Sequence, residues 1–231
     1  MAPTIKLFGM LFGLVVLAGC PDRSVPFPPT WHFTMATYEE PRPPAQTFAA
    51  LIAFFREHHP DLVADLNPPA TDKQLDALET LTGQRLPDDF RRLYKLANGQ
   101  NEGATSFFLD GYKFLSLEEI SQDWIMMKKL NAQRFGFWES DTPQGVVKDR
   151  WWLPSWIPFA QDITGSSYCI DLDPAPGGQV GQVIAFIHDD TWRAHLGRSL
   201  NDYLGDYEKG LRAGTYVYHA EWGVFTSRDE G

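Results

Sequence analysis

The chain has 231 residues, and its 30 acidic residues outnumber its 20 Lys and Arg residues, which gives a formal net charge of −10. This acidic balance argues against a nucleic-acid ligand, because phosphates are bound by Lys and Arg. It suits a basic protein partner instead. The length is sufficient for one domain with its own hydrophobic core.

The first 20 residues resemble the leader of a bacterial lipoprotein. An apolar run from Leu7 to Leu17 is followed by Ala18, Gly19 and Cys20. The run is too short to span a bilayer comfortably and fits the hydrophobic part of a signal peptide, although an uncleaved anchor helix is an alternative. Because the ending Leu-Ala-Gly-Cys is similar to a lipobox, we expect lipidation of Cys20 and an anchor on the periplasmic side of the cell envelope.

The next segment is rich in proline. Seven prolines lie between residues 21 and 44, and proline favours extended backbone. We interpret residues 20–45 as a tether between membrane and domain. Because Trp31, Phe33 and Met35 alternate, a short strand inside the tether that packs on the domain is an alternative.

Three helices are predicted at the start of the folded domain. Apolar residues at helical spacing predict the first over residues 48–55. The second begins near Thr71, a good N-cap, and ends at Gly83, a plausible C-cap. The third begins at Pro87, which suits a first helical position, and ends at Asn98-Gly99.

Strands are predicted in the middle of the chain. Asp110-Gly111 between two apolar runs predicts a tight turn, and Ser116 with Glu119 forms a capping box that begins a further helix. Residues 154–187 read as three short strands separated by turns, and Ser199 caps a last helix. This order of elements predicts an α+β fold with a largely antiparallel sheet packed with several helices.

Two blocks of sequence resemble the Smi/Knr cell-wall-regulator family of the SUKH superfamily. Residues 86–100 contain Leu-Pro-Asp-Asp-Phe and Asn-Gly-Gln, and residues 154–187 contain Trp-Ile-Pro-Phe-Ala, Ile-Asp-Leu-Asp-Pro and Gly-Gln-Val-Ile. The resemblance covers roughly residues 70–212. We therefore divide the chain into a signal peptide (1–19), a tether (20–45), one SUKH-like domain (46–213) and a C-terminal tail (214–231).

Candidate partner contacts lie around the predicted strands. Asp171 and Asp173 alternate along one strand face, and tryptophans in irregular segments beside acids are typical of protein interfaces. The alternatives are solvated acids leading into a turn and tryptophans in the core. We select five contact candidates: Asp162, Asp171, Asp173, Trp151 and Trp152.

The sequence offers little chemistry. It contains neither a Gly-rich phosphate loop nor a Gly-x-Ser-x-Gly elbow. His188 with Asp189 and Asp190 could bind a metal or act as acid and base, but a polar turn after a strand is the simpler interpretation. Cys169 is expected to be a small buried residue rather than a catalytic thiol. We therefore expect no catalytic residue, no metal and no cofactor.

Three functions remain open. The family resemblance implies a membrane-tethered immunity protein that binds a toxin acting in the cell envelope and neutralises it by stoichiometric occlusion. The toxin would be basic, to match the acidic chain. The fungal relatives of the family suggest a scaffold or regulator in cell-wall synthesis or envelope maintenance instead. A hydrolase that uses the His188 cluster is the third hypothesis.

Overall fold

The computed structural model describes residues 44–133, 145–190 and 192–228, all of which belong to one unit, Glu40–Gly231. The predicted signal peptide, Cys20 and nearly all of the tether lie outside these residues. None of the described helices is long and apolar enough to cross a membrane.

Helices surround a central sheet. The helices described are α1 (Pro44–His58), α2 (Pro60–Ala64), α3 (Asp72–Thr82), α4 (Asp88–Tyr94), α5 (Leu117–Ala132) and α6 (Leu200–Ala213). The strands described are β1 (Lys113–Phe114), β2 (Trp156–Gln161), β3 (Ser167–Asp171), β4 (Gln182–Phe186), β5 (His195–Gly197), β6 (Tyr216–His219) and β7 (Val224–Ser227). This architecture confirms the α+β prediction.

The helix starts follow local sequence signals. Thr71 and Gln74 form a capping box at the start of α3, and Ser116 and Glu119 form another at the start of α5. Each box satisfies backbone N–H groups that have no partner within the helix. The helix α3 ends where Gly83 adopts φ 68°, a left-handed conformation that glycine reaches without strain.

The main sheet is antiparallel throughout, in the order β1-β2-β3-β4-β5. Every residue of β3 and β4 is buried. Since successive side chains of a strand point to opposite faces, both faces of the sheet are covered at these strands. Trp156 of β2 lies at the centre of the core and is fully buried.

The residues that we expected to form a C-terminal tail fold as a hairpin. Strands β6 and β7 pair in register from Tyr216 with Ser227 to His219 with Val224. Phe225 of this hairpin is buried, and its ring lies 5.5 Å from that of Phe55 in α1. Phe225 of this hairpin is therefore part of the hydrophobic core, within the residues that the sequence analysis assigned to a C-terminal tail.

Candidate functional site

Three of the five predicted contact residues are buried. Trp151 and Trp152 are 5% and 4% exposed, and Asp171 is 0% exposed. The ring of Trp151 lies against Phe186, at 6.2 Å, and that of Trp152 lies against a helix tryptophan at the same distance. The expectation that these three side chains lie on the surface is wrong: Asp171 belongs to a strand whose residues are all buried, and both tryptophans pack against other aromatic rings.

Asp171 is held by donors inside the fold. Its Oδ1 accepts a hydrogen bond from the Asp173 backbone N–H at 3.0 Å, and its Oδ2 accepts one from Gln182 Nε2, also at 3.0 Å. Burial raises the pKa of Asp171, while these two hydrogen bonds oppose the rise. Both oxygens are used in fixing the end of β3, so Asp171 has a structural role.

The two remaining candidates lie at opposite ends of β3. Asp173 is 61% exposed and pairs with Lys148 at 2.6 Å. Asp162 lies at the turn between β2 and β3, where its Oδ1 accepts hydrogen bonds from the backbone of Thr164 and Ser166 at 2.8 and 2.9 Å. The length of β3 separates the two acids by roughly 15 Å, so they do not form one site.

The hypothetical hydrolase cluster has no metal-site geometry. His188 Nδ1 lies 3.2 Å from Ser166 Oγ, within hydrogen-bond distance. Within residues 44–133, 145–190 and 192–228, no three His, Cys, Asp or Glu side chains converge as metal ligands. Cys169 is buried, as predicted, and burial raises the pKa of its thiol far above the ordinary value.

Two adjoining grooves beside α5 are the candidate site, and of the five predicted contact residues Asp162 lines one of them. The first groove, here called the amide groove, has a volume of about 570 Å³ and contains Asn67, Gln74, Asn98, Glu102, Glu118 and Gln122. The second, here called the α5–β2 groove, has a volume of about 340 Å³ and contains Phe107, Leu115, Glu119, Asp123, Met126 and Asp162. Glu119 and Gln122 line both grooves, so the grooves adjoin.

Glu118 lies at the centre of the amide groove, in the first turn of α5. Its Oε1 accepts a hydrogen bond from Gln74 Nε2 at 3.0 Å, and its Oε2 accepts one from Asn98 Nδ2 at 3.1 Å. Burial by itself would raise the pKa of Glu118, but these hydrogen bonds outweigh burial and lower it. The carboxylate is therefore held ionised, at a helix end where negative charge is favourable.

The Asn-Gly-Gln block that carries the resemblance forms the floor of this groove. Asn98 Oδ1 accepts from the Leu117 backbone N–H at 2.9 Å. Gly99 has φ 69°, and a Cβ there would come within 2.4 Å of the Leu115 backbone, so only glycine fits. Gln100 is fully buried, and its Oε1 accepts from the backbone of Phe108 and Phe114, at 3.0 Å each.

The α5–β2 groove combines apolar and acidic side chains. Glu119 is committed to its neighbours, since its Oε1 pairs with Lys113 Nζ at 2.6 Å and its Oε2 accepts from the Ser116 backbone at 2.8 Å. Asp123 Oδ1 accepts from Gln161 Nε2 at 3.0 Å. Burial raises the pKa of Asp123, and this hydrogen bond opposes the rise only in part.

Comparison with known proteins identifies the family. The SMI1/KNR4 family (SUKH-1) matches residues 69–206, which is more than half of the chain. The Cell wall biosynthesis/cell cycle regulator smi1 of Schizosaccharomyces pombe is 30% identical over 187 residues, which cover 74% of this chain and 37% of the relative.

Two further fungal relatives agree with this match. The Cell wall assembly regulator SMI1 of Saccharomyces cerevisiae is 23% identical over 69% of this chain and 39% of the relative. The Glucan synthesis regulatory protein of Neurospora crassa is 23% identical over 81% of this chain and 43% of the relative. This chain thus spans about two fifths of the length of the curated relatives it matches. The predicted resemblance is confirmed, and the chain belongs to the SMI1/KNR4 family (SUKH-1).

Proposed function

We propose that this protein is a non-catalytic regulator or scaffold in cell-wall synthesis or envelope maintenance, and that it acts by binding another protein. The observation that carries the proposal is that relatives named as regulators of cell-wall assembly or glucan synthesis match this chain over 69–81% of its length. The alternative function suggested by the sequence is thus preferred over the immunity role.

The chemistry of the two grooves supports binding rather than catalysis. Glu118 is fixed by two amide donors, and Glu119 is fixed by Lys113 and Ser116. The hydrogen bonds to Glu118 lower its pKa, and a carboxylate held ionised in this way is a poor general acid at neutral pH. Amide and carboxylate groups along a groove suit the recognition of polar and basic groups on a protein partner.

An immunity protein that occludes a basic toxin in the cell envelope is the second candidate function. The leader-like start that ends in Cys20 favours it, because it would place the protein where such a toxin acts. The net charge of −10 also complements a basic toxin. In both functions we propose that a lipid on Cys20 anchors the protein on the periplasmic side.

A deletion strain separates the two functions. We expect it to show a wall defect in pure culture, measured as lysis under osmotic shock and as altered wall-polymer content, and we expect the intact gene to restore both. A deletion strain that is normal alone but is killed beside its toxin-secreting parent would favour immunity instead. A strain that is normal in both assays would contradict both functions.

A Cys20→Ser variant tests the anchor in the same strains. We expect the wild-type protein to remain with the membrane fraction and to incorporate labelled palmitate. The variant should lose the label. If the wild-type protein carries no label, the lipid anchor is excluded without affecting the proposed regulatory role.

A further inference from the structure

The α5–β2 groove contains a carboxylate whose partners are incomplete. Asp123 is half-buried, and its one hydrogen bond from the described residues comes from Gln161 Nε2 to Oδ1. Its Oδ2 accepts no hydrogen bond from the described residues. This oxygen is also not one of the fully buried polar atoms that lack a hydrogen-bond partner. Oδ2 is therefore accessible from the groove that Asp123 lines.

The other acids of the groove accept more hydrogen bonds from the fold than Asp123 does. Glu119 uses one oxygen for Lys113 and the other for Ser116. Asp162 holds its own turn through Oδ1, as described above. Three carboxylates and one ammonium group leave the groove with negative charge. Asp162 also keeps its Oδ2 without a donor among the described residues, but Asp123, with one donor, is the acid of the groove with the fewest internal donors.

The apolar side chains of the groove define what else a ligand must carry. Leu115 is buried and Phe107 is half-buried, while Met126 is 49% exposed on the outer turn of α5. Methionine packs against ligands of varied shape and is common at binding surfaces. A partially desolvated carboxylate beside such a surface is unfavourable unless a charged donor forms a hydrogen bond with its unpaired oxygen.

We infer that the α5–β2 groove binds an arginine side chain of a partner protein, with its guanidinium on Asp123 and an adjacent apolar residue against Met126. Arginine fits better than lysine because its guanidinium is weakly hydrated, planar and able to donate several hydrogen bonds to one carboxylate. Its aliphatic stem can also pack against apolar surface. The inference rests on the proposed function, that the protein acts by binding another protein, and names the chemistry of that partner.

A pair of dipeptides tests this inference directly. The probe is acetyl-Arg-Leu-amide, and the control is acetyl-citrulline-Leu-amide, which has nearly the same shape but no charge. Each is titrated into the purified, isotope-labelled protein and followed through its backbone amide resonances. We expect shifts in α5 and in residues 161–163 with the arginine probe, and at least about tenfold weaker binding of the citrulline probe.

Two variants and one matched control sharpen the result. Asp123→Asn removes the charge and should weaken the arginine probe by about tenfold. Met126→Lys adds a cation at an exposed position and should also weaken binding of the arginine probe, so it serves if the first variant folds poorly. Asp206→Asn makes the same change at an exposed position on α6 and should leave binding unchanged.

Several outcomes would overturn the inference. They are equal binding of both dipeptides, unaltered binding to both groove variants, and the absence of shifts in the groove.

The deletion strain separates failure of this inference from failure of the proposed function. If its wall defect is fully restored by the Asp123→Asn variant, the arginine site is wrong and the regulatory role stands. If deletion causes no wall defect, the regulatory role fails whatever the dipeptides show.

Discussion

The main sheet and the α5–β2 groove each hold a carboxylate at least partly away from water, but they supply it with different numbers of hydrogen-bond donors. At the end of β3, Asp171 meets two donors from within the fold, one for each oxygen. In the α5–β2 groove, Asp123 meets one donor. Burial raises the pKa of both carboxyl groups. Burial therefore does not distinguish the two carboxylates, whereas the number of internal donors does.

The largest expected effect is in the sheet region, at Arg193. This arginine is buried and donates to the carbonyl oxygens of Trp151, Ile187 and Asp190 at 2.8, 3.1 and 2.6 Å. Burial lowers its pKa to about 10, so it remains charged at neutral pH. Arg193→Met should lower the free energy of unfolding by about 3 kcal/mol, because it removes the hydrogen bonds that this buried arginine donates, including the one to the buried Trp151.

Urea denaturation at pH 7 measures this loss. Arg193→Lys is the matched control, since it keeps the charge and part of the hydrogen bonding and should lose less. A loss below about 1 kcal/mol for the methionine variant would mean that the carbonyls find other donors and that the sheet region tolerates missing partners.

Asp171→Asn is expected to have the next largest effect. Asparagine offers one acceptor oxygen where Asp171 uses two, so the N–H of either Asp173 or Gln182 faces another donor. We expect a loss of about 1–2 kcal/mol in the free energy of unfolding, measured by urea denaturation. Asp173→Asn, which alters an exposed pair with Lys148, is the control and should change stability by less than about 0.5 kcal/mol. Equal effects of the two substitutions would contradict the structural role of Asp171.

Asp123→Asn should behave in the opposite way. Asparagine keeps an acceptor for Gln161 and removes a charge that burial disfavours, so we expect the variant to be equally stable or up to about 1 kcal/mol more stable at pH 7. The raised pKa of Asp123 fixes the sign of the pH dependence. The neutral carboxyl contributes stability below the unfolded pKa, and this contribution is lost as pH rises through the folded pKa.

Stability curves at several pH values test this prediction. Wild type and variant should have the same free energy of unfolding near pH 3, and the variant should become the more stable of the two as pH rises to about 6. A variant that is less stable at pH 7 would show that Asp123 is held by its surroundings as firmly as Asp171 is.

The sequence predicts the elements of this fold better than its surface. The capping boxes at Thr71 and Ser116 are local, so both predicted helix starts are confirmed. Asp171 was misplaced because alternation along a strand shows which residues share a face but not whether a helix covers that face. The grooves were missed because their side chains come from distant segments: Gln74 and Glu118 are 44 residues apart in the chain. Asn98-Gly99 was a local signal at this place, but it indicated a helix end and a family resemblance and not a groove.

The smallest expected effect is in the amide groove, at Glu118. Glu118→Gln leaves one of the amide donors, from Gln74 or Asn98, without its acceptor, but water can replace it at this partly exposed position. We therefore expect the free energy of unfolding to fall by only about 0.5 kcal/mol at neutral pH, after allowing for solvent screening.

The pH dependence of this effect follows from the lowered pKa of Glu118 in the folded state. The contribution of Glu118 to stability is present above the ordinary glutamate pKa and is lost as pH falls through the folded value. Wild type and variant should thus converge in acid, as with Asp123, but with the wild type the more stable protein at pH 7. If Glu118→Gln instead gained stability with rising pH, its carboxylate would be as incompletely paired as that of Asp123, and the amide groove would become the better candidate for binding a cation.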